Sequence, residues 1–409
     1  MECRHCGHNL VHSFADLGSA PPSNSYLSEE RLNDAETWYR LNVLVCDKCW
    51  LVQTDDYVAS EEMFSDDYAY YSSFSSSWVN HAKNYVDLIV QKLGLNENSN
   101  VVEIAANDGY LLQFVKGKNI PCYGIEPTTG TANEAKKRGI EIVENFFTEK
   151  LAYELVANEK SADLIIANNV LAHVPDINDF LKAFKALLKP NGTATFEFPY
   201  LVNLVDNIQF DTIYHEHFSY LSLTSLTIIF KNNGLHIYDI EYLSTHGGSL
   251  RVYAKNQKYS KSNNESLLLR TAKENETNLG LNDLNYYFGF IKKIEKVKNN
   301  LLKFLINAKE NKEKVIGYGA AAKGNTLINY SGIKSDLIKF IVDKNPNKQN
   351  KFMPGSKIPI LHPSSITEYK PDYILILPWN LSDEIINEVK SEYYSEAKFI
   401  TAIPELIIK

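Results

Sequence analysis

Residues 214–220 combine an imidazole base, a carboxylate and a phenol within a few positions. The run reads Tyr-His-Glu-His-Phe-Ser-Tyr. His217 can act as a base near neutral pH, Glu216 can orient an imidazole, and Tyr214 can donate from its hydroxyl. Two histidines around a glutamate could also bind a metal, but the spacing differs from HExxH, which places both rings on one helix face. The pattern therefore favours proton transfer.

Four of the five cysteines form two CxxC pairs, which is the spacing of metal-binding knuckles. They are Cys3, Cys6, Cys46 and Cys49. Two such pairs complete a four-thiolate zinc site without an open position, so the predicted zinc is structural. A rubredoxin-like iron site is a lesser alternative, and His5, His8 and His12 are possible substitute ligands. The remaining Cys122 opens a strand-like segment and is expected in the core.

The loop that follows the apolar run at 101–104 has the features of an adenosine-cofactor site. Residues 103–109 read Glu-Ile-Ala-Ala-Asn-Asp-Gly, and Gly109 lets the backbone approach a ligand closely. Glu126 ends the next apolar run, where a carboxylate can accept hydrogen bonds from both ribose hydroxyls. The loop lacks the full GxGxxG pattern that admits a pyrophosphate, which favours a cofactor without phosphates.

These two segments resemble the first two motifs of class I S-adenosylmethionine-dependent methyltransferases. The resemblance implies that one group of residues surrounds the methionine part of the cofactor. This group is Glu103, Ala105, Asn107 and Gly109. Glu126 then holds the ribose, and Asn168 and Asn169 lie where the fourth-strand motif of the family is expected. The predicted cofactor is S-adenosylmethionine.

A second glycine-containing loop, at residues 317–325, follows an apolar run and precedes a helix-like segment. It reads Gly-Tyr-Gly-Ala-Ala-Ala-Lys-Gly-Asn, which fits a GxGxxA dinucleotide fingerprint, and Asp343 ends the next apolar run. A nicotinamide-dependent oxidoreductase is therefore one interpretation. Lys323 at a helix amino terminus would suit anionic phosphates. A purely structural glycine loop is the other alternative.

Short apolar runs separated by helix-like segments must position these residues, and they predict a wound, mainly parallel sheet. The runs lie at 101–104, 122–125, 164–167, 193–198, 235–241 and 250–254. Apolar residues at three- and four-residue steps over 291–305 predict a long helix. A second wound sheet is expected after this helix. Its runs lie at 315–317, 340–342 and 373–377.

The predicted fold class is α/β, with a small zinc-binding amino-terminal domain and two Rossmann-like doubly wound domains, the first a class I methyltransferase. The predicted boundaries are 1–70, 71–255 and 256–409. Residues 1–65 are expected to hold the knuckles and a loop-rich insert with Pro21 and Pro22, and residues 256–285 read as a polar connector. A length of 409 residues is too much for one core, which agrees with several domains.

Charge and hydropathy limit the possible partners. The net charge of -8 argues against nucleic acid, because the chain has no excess of cations to release counterions from phosphates. No apolar run approaches the length of a membrane span, and the amino terminus lacks the apolar stretch of a signal peptide. A cytoplasmic location, without a membrane partner, is the expectation.

The combination of motifs resembles the sugar C-3'-methyltransferases of branched deoxysugar biosynthesis. The resemblance rests on the four cysteines, the cofactor motifs, residues 214–219 and the Thr-His-Gly-Gly-Ser-Leu-Arg run at 245–251. It includes an aromatic and serine-rich stretch at 68–75, which is expected to be an ordered loop over a pocket because disordered segments seldom carry so many rings. The resemblance covers essentially the whole chain.

The family implies methylation of C-3' in a nucleotide-linked 4-keto-6-deoxysugar. In this reading His217 removes the C-3' proton, and Glu216 orients that imidazole or contacts the sugar. Tyr214 and Tyr68 hydrogen-bond the developing enolate oxygen. The implied substrate-binding residues are Ser73, His173, His246, Lys323 and Asn325. The last two are placed near the diphosphate, and for His173 a satisfied position in the core is an equal alternative.

Thymidine diphosphate is the common carrier in this family, and guanosine or cytidine diphosphate sugars stay open. The expected assembly is a monomer or a small homo-oligomer. Methyl transfer to oxygen or nitrogen is an alternative activity, because it needs only a base and no neighbouring ketone. An NAD-dependent oxidoreductase that uses the 317–325 loop is a second alternative.

Overall fold

The computed structural model describes residues 1–55, 71–260 and 265–409. Within these ranges the strands form sheets of four, seven and six strands. No helix in the described ranges is both long enough and apolar enough to cross a membrane. The predicted α/β class, with two wound sheets that are mainly parallel, is confirmed.

The amino-terminal region contains a small antiparallel sheet. Its first strands are β1 (His12–Ala20), β2 (Tyr39–Val45) and β3 (Val52–Thr54). Leu41, Val43 and Val45 are buried and alternate with more exposed positions along β2. The loop-rich insert predicted around Pro21 and Pro22 lies between β1 and β2. The strands themselves were not predicted, although period-two alternation of apolar residues marks a strand with one buried face.

The central region carries most of the elements that position the site. Its strands are β4 (Val101–Ile104), β5 (Cys122–Ile125), β6 (Glu141–Val143), β7 (Ala162–Asn168), β8 (Leu188–Pro199), β9 (Ser219–Tyr220), β10 (Leu235–Leu243) and β11 (Ser249–Asn256). Its α-helices are α1 (Ser76–Leu93), α2 (Leu112–Lys116), α3 (Thr129–Lys137), α4 (Glu149–Ala157), α5 (Ile177–Leu187), α6 (Leu201–Asp206) and α7 (Leu223–Asn232).

The central sheet has the order β10-β11-β8-β7-β4-β5-β6. Strands β4 to β8 are parallel, and β11 runs antiparallel to both of its neighbours. The carboxyl ends of β4, β5, β7 and β8 therefore meet at one edge, where wound sheets bind ligands. The loops that the sequence singles out leave the sheet at this edge.

Strand β9 lies outside the central sheet and completes the amino-terminal one. The order of that sheet is β1-β2-β3-β9, with Val52 opposite Tyr220 and Gln53 opposite Ser219. His217 precedes β9 by two positions. The amino-terminal sheet is thereby joined through backbone pairing to the reactive run at 214–220.

The carboxyl-terminal region forms the second wound sheet. Its strands are β12 (Val315–Tyr318), β13 (Ile341–Val342), β14 (Ile360–Leu361), β15 (Tyr373–Ile376), β16 (Lys398–Thr401) and β17 (Ile407–Ile408). Its α-helices are α8 (Leu267–Leu279), α9 (Leu284–Tyr287), α10 (Phe290–Glu310), α11 (Ala322–Ser331), α12 (Ser365–Tyr369) and α13 (Ser382–Glu392). The sheet order is β14-β13-β12-β15-β16-β17, and only β17 is antiparallel to its neighbour within the described residues. The predicted long helix is α10.

The segment predicted as a polar connector contains the ordered helix α8. Leu269 and Ala272 are buried, and the buried Glu276 carboxylate faces the amino terminus of α7. That carboxylate accepts hydrogen bonds from Leu223 N at 2.7 Å and Thr224 N at 2.6 Å. An acceptor there satisfies amides that a helix start leaves without intrahelical partners. The polar composition concealed this docking because few side chains of α8 are buried.

One hydrophobic core is shared by all three regions. It includes Phe14 and Val43 of the amino-terminal sheet, Phe210 of the central region, and Leu301 and Leu327 of the carboxyl-terminal region. Residues of one packed cluster exclude water together, so none of these faces is exposed. The reactive run follows Phe210 and begins in this shared core.

A buried ion pair crosses the central sheet between β8 and β11. Arg251 NH2 lies 2.6 Å from Glu197 Oε2, and its other terminal nitrogen lies 2.7 Å from Glu241 on β10. His81 Nε2 on α1 donates to the same Glu197 oxygen at 2.9 Å. Burial opposes ionisation of Glu197, but the His81 bond and the Arg251 charge lower its pKa overall. The pair stays ionised inside the core.

We expect Arg251→Met to lower the free energy of unfolding by about 3–5 kcal/mol, because it leaves the buried Glu197 charge without its main partner. Urea denaturation followed by circular dichroism measures the effect. The matched control is Lys83→Met, which removes an exposed partner of Asp87 on α1 and should leave the midpoint almost unchanged. Equal midpoints for both variants would show that the buried Glu197 charge does not need Arg251 as its partner.

Candidate active site

The four knuckle cysteines converge on one point. Their sulfur atoms all lie within 4.8 Å of one another, with Cys3 to Cys49 at 3.5 Å and Cys6 to Cys46 at 3.6 Å. Tetrahedral zinc–thiolate bonds of about 2.3 Å place neighbouring sulfurs roughly 3.8 Å apart, so the cluster fits zinc. Gln53 Nε2 donates to the Cys3 sulfur at 3.2 Å, as an outer partner of a thiolate would.

The cofactor loop after β4 is held in a strained backbone conformation. Ala105, Asn107 and Gly109 have φ angles of 54°, 50° and 77°. A Cβ at Gly109 would also lie 2.4 Å from the side chain of Ile140, so only glycine fits there. Strain of this kind is typical of functional loops.

Glu126 ties the cofactor loop to the loop after β5. Its Oε2 accepts from Asn107 N at 2.9 Å, and its Oε1 accepts from Thr128 N at 3.0 Å. Each carboxylate oxygen has two lone pairs, so both oxygens keep capacity to accept from a ribose hydroxyl. Burial raises the pKa of Glu126, and the backbone donors oppose that shift.

At the sheet edge beside β4 and β7 lie acidic side chains and polar atoms that have no hydrogen-bond partner among the described residues. Glu103 is buried with one oxygen that has no partner among the described residues, and both side-chain atoms of Asn168 are in the same state. Burial raises the pKa of Glu103 well above its ordinary value, and the negative charges of Asp108 and Glu126 add to that shift. A cationic ligand with an amino-acid group fits this edge, because it supplies positive charge and hydrogen bonds together.

Ser73 contacts the cofactor loop from a separate turn, at residues 72–74. Its backbone N donates to Asp108 Oδ2 at 3.3 Å, and its hydroxyl also donates to that carboxylate. The preceding Ser72 N donates to Asn107 Oδ1 at 2.9 Å. Ser73 was assigned to the substrate from the sequence, and the structure brings it against the cofactor loop. Tyr68 lies outside the described residues.

His217 has a fixed ring orientation. Its Nδ1 lies 2.7 Å from the carbonyl oxygen of Thr212, so in the neutral ring Nδ1 carries the proton and Nε2 is the acceptor. Burial and the neighbouring His173 lower the pKa of His217 well below its ordinary value. The Tyr214 ring centroid lies 3.9 Å from that of His217, and the His173 centroid lies at 4.7 Å. His217 is therefore a neutral imidazole among polar rings.

Glu216 faces away from His217 and towards the amino-terminal region. Its Oε1 accepts from Asn24 Nδ2 at 2.6 Å, and burial raises its pKa to about 7. The group that orients the imidazole is the Thr212 carbonyl rather than the Glu216 carboxylate. No sequence pattern signals a backbone carbonyl, and this contact could not be inferred from residue types.

His173 and His246 lie on separate turns, and both are neighbours of His217. The backbone bond from Phe218 N to Ala172 O, at 2.8 Å, brings His173 beside the reactive run. His246 has a φ of 54° and its Nε2 lies 3.2 Å from Asn169 Nδ2. Burial lowers the pKa of each histidine to about 4, so both are neutral.

The 317–325 loop is held by residues from outside it. Asp343 Oδ2 accepts from Ala320 N at 2.7 Å and its Oδ1 accepts from Asn345 N at 2.8 Å. Tyr26 of the amino-terminal region donates to Ala320 O at 2.6 Å. Asn325 is fully buried, and neither of its side-chain polar atoms has a partner among the described residues.

The sequence comparisons agree with this architecture. Family models match residues 3–64 as a zinc binding domain, 78–240 as a methyltransferase domain and 244–404 as a C-methyltransferase C-terminal domain. Among solved structures, a methyltransferase from Clostridium acetobutylicum is 13% identical with a TM-score of 0.35, covering 42% of this chain and 89% of its own. Magnesium protoporphyrin IX methyltransferase from Synechocystis is 16% identical with a TM-score of 0.34, covering 44% of this chain and 84% of its own.

Fold and site together define a class I S-adenosylmethionine-dependent methyltransferase with a structural zinc site. C-methyltransferase NovU from Streptomyces niveus is 34% identical over 404 residues, covering 99% of this chain and 96% of its own. The chain belongs to the C-methyltransferase family.

The purified chain should carry one zinc ion, and Cys46→Ser should lose it, because three thiolates leave the tetrahedral site incomplete. Metal content by mass spectrometry measures this. Cys122→Ser is the control and should keep the metal, since Cys122 lies on β5 outside the cluster. Zinc at full occupancy in Cys46→Ser would remove Cys46 from the ligand set.

Glu126→Gln should weaken binding of S-adenosylhomocysteine about 10- to 100-fold, which corresponds to the loss of charge-assisted hydrogen bonds to the ribose. Isothermal titration calorimetry gives the dissociation constant. Glu144→Gln, which alters an exposed carboxylate paired with Lys136, should bind like wild type. An unchanged constant for Glu126→Gln would exclude Glu126 from the ribose contact.

Proposed function

We propose that this C-methyltransferase methylates C-3' of a nucleotide-linked 4-keto-6-deoxysugar through an enolate, with His217 as the base. The observation that supports the base most directly is the 2.7 Å contact between His217 Nδ1 and Thr212 O. It leaves Nε2 as the hydrogen-bond acceptor of a neutral ring. The motifs at 214–219 and 245–251 support the sugar class by their resemblance to the sugar C-3'-methyltransferases.

Carbon methylation sets a chemical requirement that the proposed substrate meets. A C–H bond next to a ketone is acidic enough for an imidazole to remove its proton. Nε2 of His217 takes the C-3' proton, and the C–H electron pair moves into the C-3'–C-4' bond while the carbonyl oxygen becomes negative. Bound S-adenosylmethionine supplies an electrophilic methyl group. The C-3' carbon forms the new C–C bond, the sulfonium C–S bond breaks, and the ketone re-forms.

Several polar groups around His217 suit a sugar. Tyr214 lies against the imidazole and can donate to the enolate oxygen, a role that the proposal shares with Tyr68. His173 and His246 are neutral, so neither ring places a positive charge beside the proposed sugar. Glu216, bound to Asn24, places the amino-terminal region beside the same segment.

Each of the three domains has its own role in the proposed reaction. Residues 1–70 hold zinc and support the reactive run, residues 71–255 bind the methyl donor and carry the base, and residues 256–409 face the substrate. By the family resemblance, Lys323 and Asn325 of the carboxyl-terminal region lie near the nucleotide sugar, and the polar side-chain atoms of the buried Asn325 have no partner within the described part of the chain. Thymidine, guanosine and cytidine diphosphates are the carriers to compare.

His217→Asn should cut turnover by about 10²–10⁴-fold, the usual contribution of a general base. It should also abolish exchange of the C-3' proton with deuterium oxide in the absence of the cofactor. Mass spectrometry of a panel of nucleotide 4-keto sugars measures both. His362→Asn, an exposed histidine in the carboxyl-terminal region, is the control.

Wild type should exchange the C-3' proton with deuterium oxide in the absence of the cofactor. This exchange would distinguish carbon methylation from methyl transfer to oxygen or nitrogen, because the latter needs no enolate. A wild-type enzyme that methylates a sugar hydroxyl or amine and shows no exchange would refute the enolate. Near-wild-type turnover by a folded His217→Asn would remove His217 as the base.

A further inference from the structure

Lys323 lies next to the reactive run although it belongs to the carboxyl-terminal region. It is the second residue of α11, and this helix packs against residues 210–212. Thr326, one turn further on, donates through Oγ1 to the carbonyl of Ile213 at 2.9 Å. The amino terminus of α11 is thereby fixed against the segment that leads to His217.

The Lys323 ammonium is held in place by an indole and an amide. Its Nζ lies 2.5 Å from Asn380 Oδ1 and 4.7 Å from the ring centroid of Trp379. Trp379 Nε1 in turn donates to Asp211 Oδ2 at 2.8 Å. A Cβ added at Gly247 would lie 2.3 Å from the Trp379 ring, so this ring also packs on the turn that carries His246. Trp379 therefore links Lys323, Asp211 and the His246 turn.

The positive charge of Lys323 acts on both neighbouring histidines. Burial is the main cause of the lowered pKa of His246, and Lys323 is the next; for His217 the Lys323 charge is the smallest contribution, after burial, His173 and His246. Burial lowers the pKa of Lys323 itself, and the Asp211 charge opposes that shift. A cation held in a partly desolvated site interacts strongly with any negative charge that forms beside it.

We propose that Lys323 is a catalytic residue that donates a hydrogen bond to the C-4' oxygen as the enolate forms. The inference rests on the proposed function. An ammonium has three donors, and Asn380 takes one, which leaves donors for a substrate oxygen. Removal of the C-3' proton places negative charge on the oxygen bonded to C-4'. A cation that stabilises this oxygen must therefore lie close to the base. Trp379 and Asp211 are positioning residues in this arrangement.

The competing role for Lys323 is a contact to the diphosphate. The two roles differ in what they do to nucleotide binding. A diphosphate contact stabilises the bound nucleotide before reaction, whereas an oxyanion contact strengthens only as charge develops in the transition state. The split between turnover and nucleotide affinity therefore separates them.

The test compares Lys323→Met and Lys323→Arg with wild type, and Lys309→Met serves as the control because Lys309 pairs with Asp336 on the exposed face of α10. Three quantities are measured: kcat on the 4-keto sugar, the deuterium exchange rate at C-3' without the cofactor, and the dissociation constant of the nucleoside diphosphate that wild type binds among the thymidine, guanosine and cytidine forms. Circular dichroism verifies folding.

We expect Lys323→Met to lower kcat and the exchange rate together by about 10²–10³-fold, the loss seen when one oxyanion donor is removed, with nucleotide affinity within about twofold of wild type. Lys323→Arg should recover part of both rates. A kcat within about threefold of wild type, or a lost nucleotide affinity with an unchanged exchange rate, would overturn the proposal. Failure of the proposed function would show in wild type itself, as absent methylation or exchange.

Should Lys323→Met fail to fold, Trp379→Phe provides the second variant. It keeps an aromatic face for the ammonium and removes the hydrogen bond to Asp211. We expect kcat and exchange to fall about tenfold with nucleotide affinity retained. Rates equal to wild type in this variant would contradict the positioning role.

Discussion

The shared hydrophobic core between the three regions determines where the reactive run lies. This run has little regular structure of its own. A short turn at residues 210–212 precedes it, and it ends in the two-residue strand β9. Its backbone is fixed from outside. Thr54 Oγ1 donates to His217 O at 3.1 Å from the amino-terminal sheet, and Thr326 donates to Ile213 O from the carboxyl-terminal region. Side chains alone would not hold a base to the accuracy that proton transfer requires.

This arrangement gives the zinc site an indirect part in the chemistry. The knuckles fix the turn before β3, since Cys46 and Cys49 lie between β2 and β3. Strand β3 pairs with β9, and β9 follows His217. A small region of this size buries too little apolar surface to be stable alone, which is the usual reason for a structural metal. In the proposed reaction, zinc would act only indirectly, by fixing the strand that pairs with β9.

The elements that sequence predicted well are those with a local signal. The strands β4 and β5 have the predicted bounds because each is a short buried run next to a glycine-containing or acidic loop. Strand β6 and helix α8 were missed, since β6 is three residues long and α8 buries few side chains. Local patterns carry no information on such docking, which depends on partners far along the chain.

The site shows the same difference between features with a local sequence signal and features that depend on distant partners. Residue types and order pointed to His217 and to the cofactor loop, and the structure brings His173 and His246 to the same region. The partners of these residues could not be predicted, because a carbonyl such as that of Thr212 is present at every position and only the fold selects it. The role of Glu216 illustrates this limit: its neighbour in sequence is His217, but its hydrogen-bond partner is Asn24.

Electrostatics across the site follows the course of the proposed reaction. Glu103, Asp108 and Glu126 lie together at the cofactor edge. Burial raises the pKa of Glu103 and Glu126, so a cationic methyl donor would favour their ionised forms. Next to this edge stand His173, His217 and His246, which burial keeps neutral, so the base does not repel the sulfonium. Lys323 belongs to the other wound region, where Asn380 and Trp379 hold its ammonium. In the proposed reaction this ammonium stabilises the negative charge that develops on the substrate oxygen while the methyl cation approaches the carbon. The proposed chemistry therefore depends on both wound regions, because the helix that carries Lys323 packs against residues 210–212.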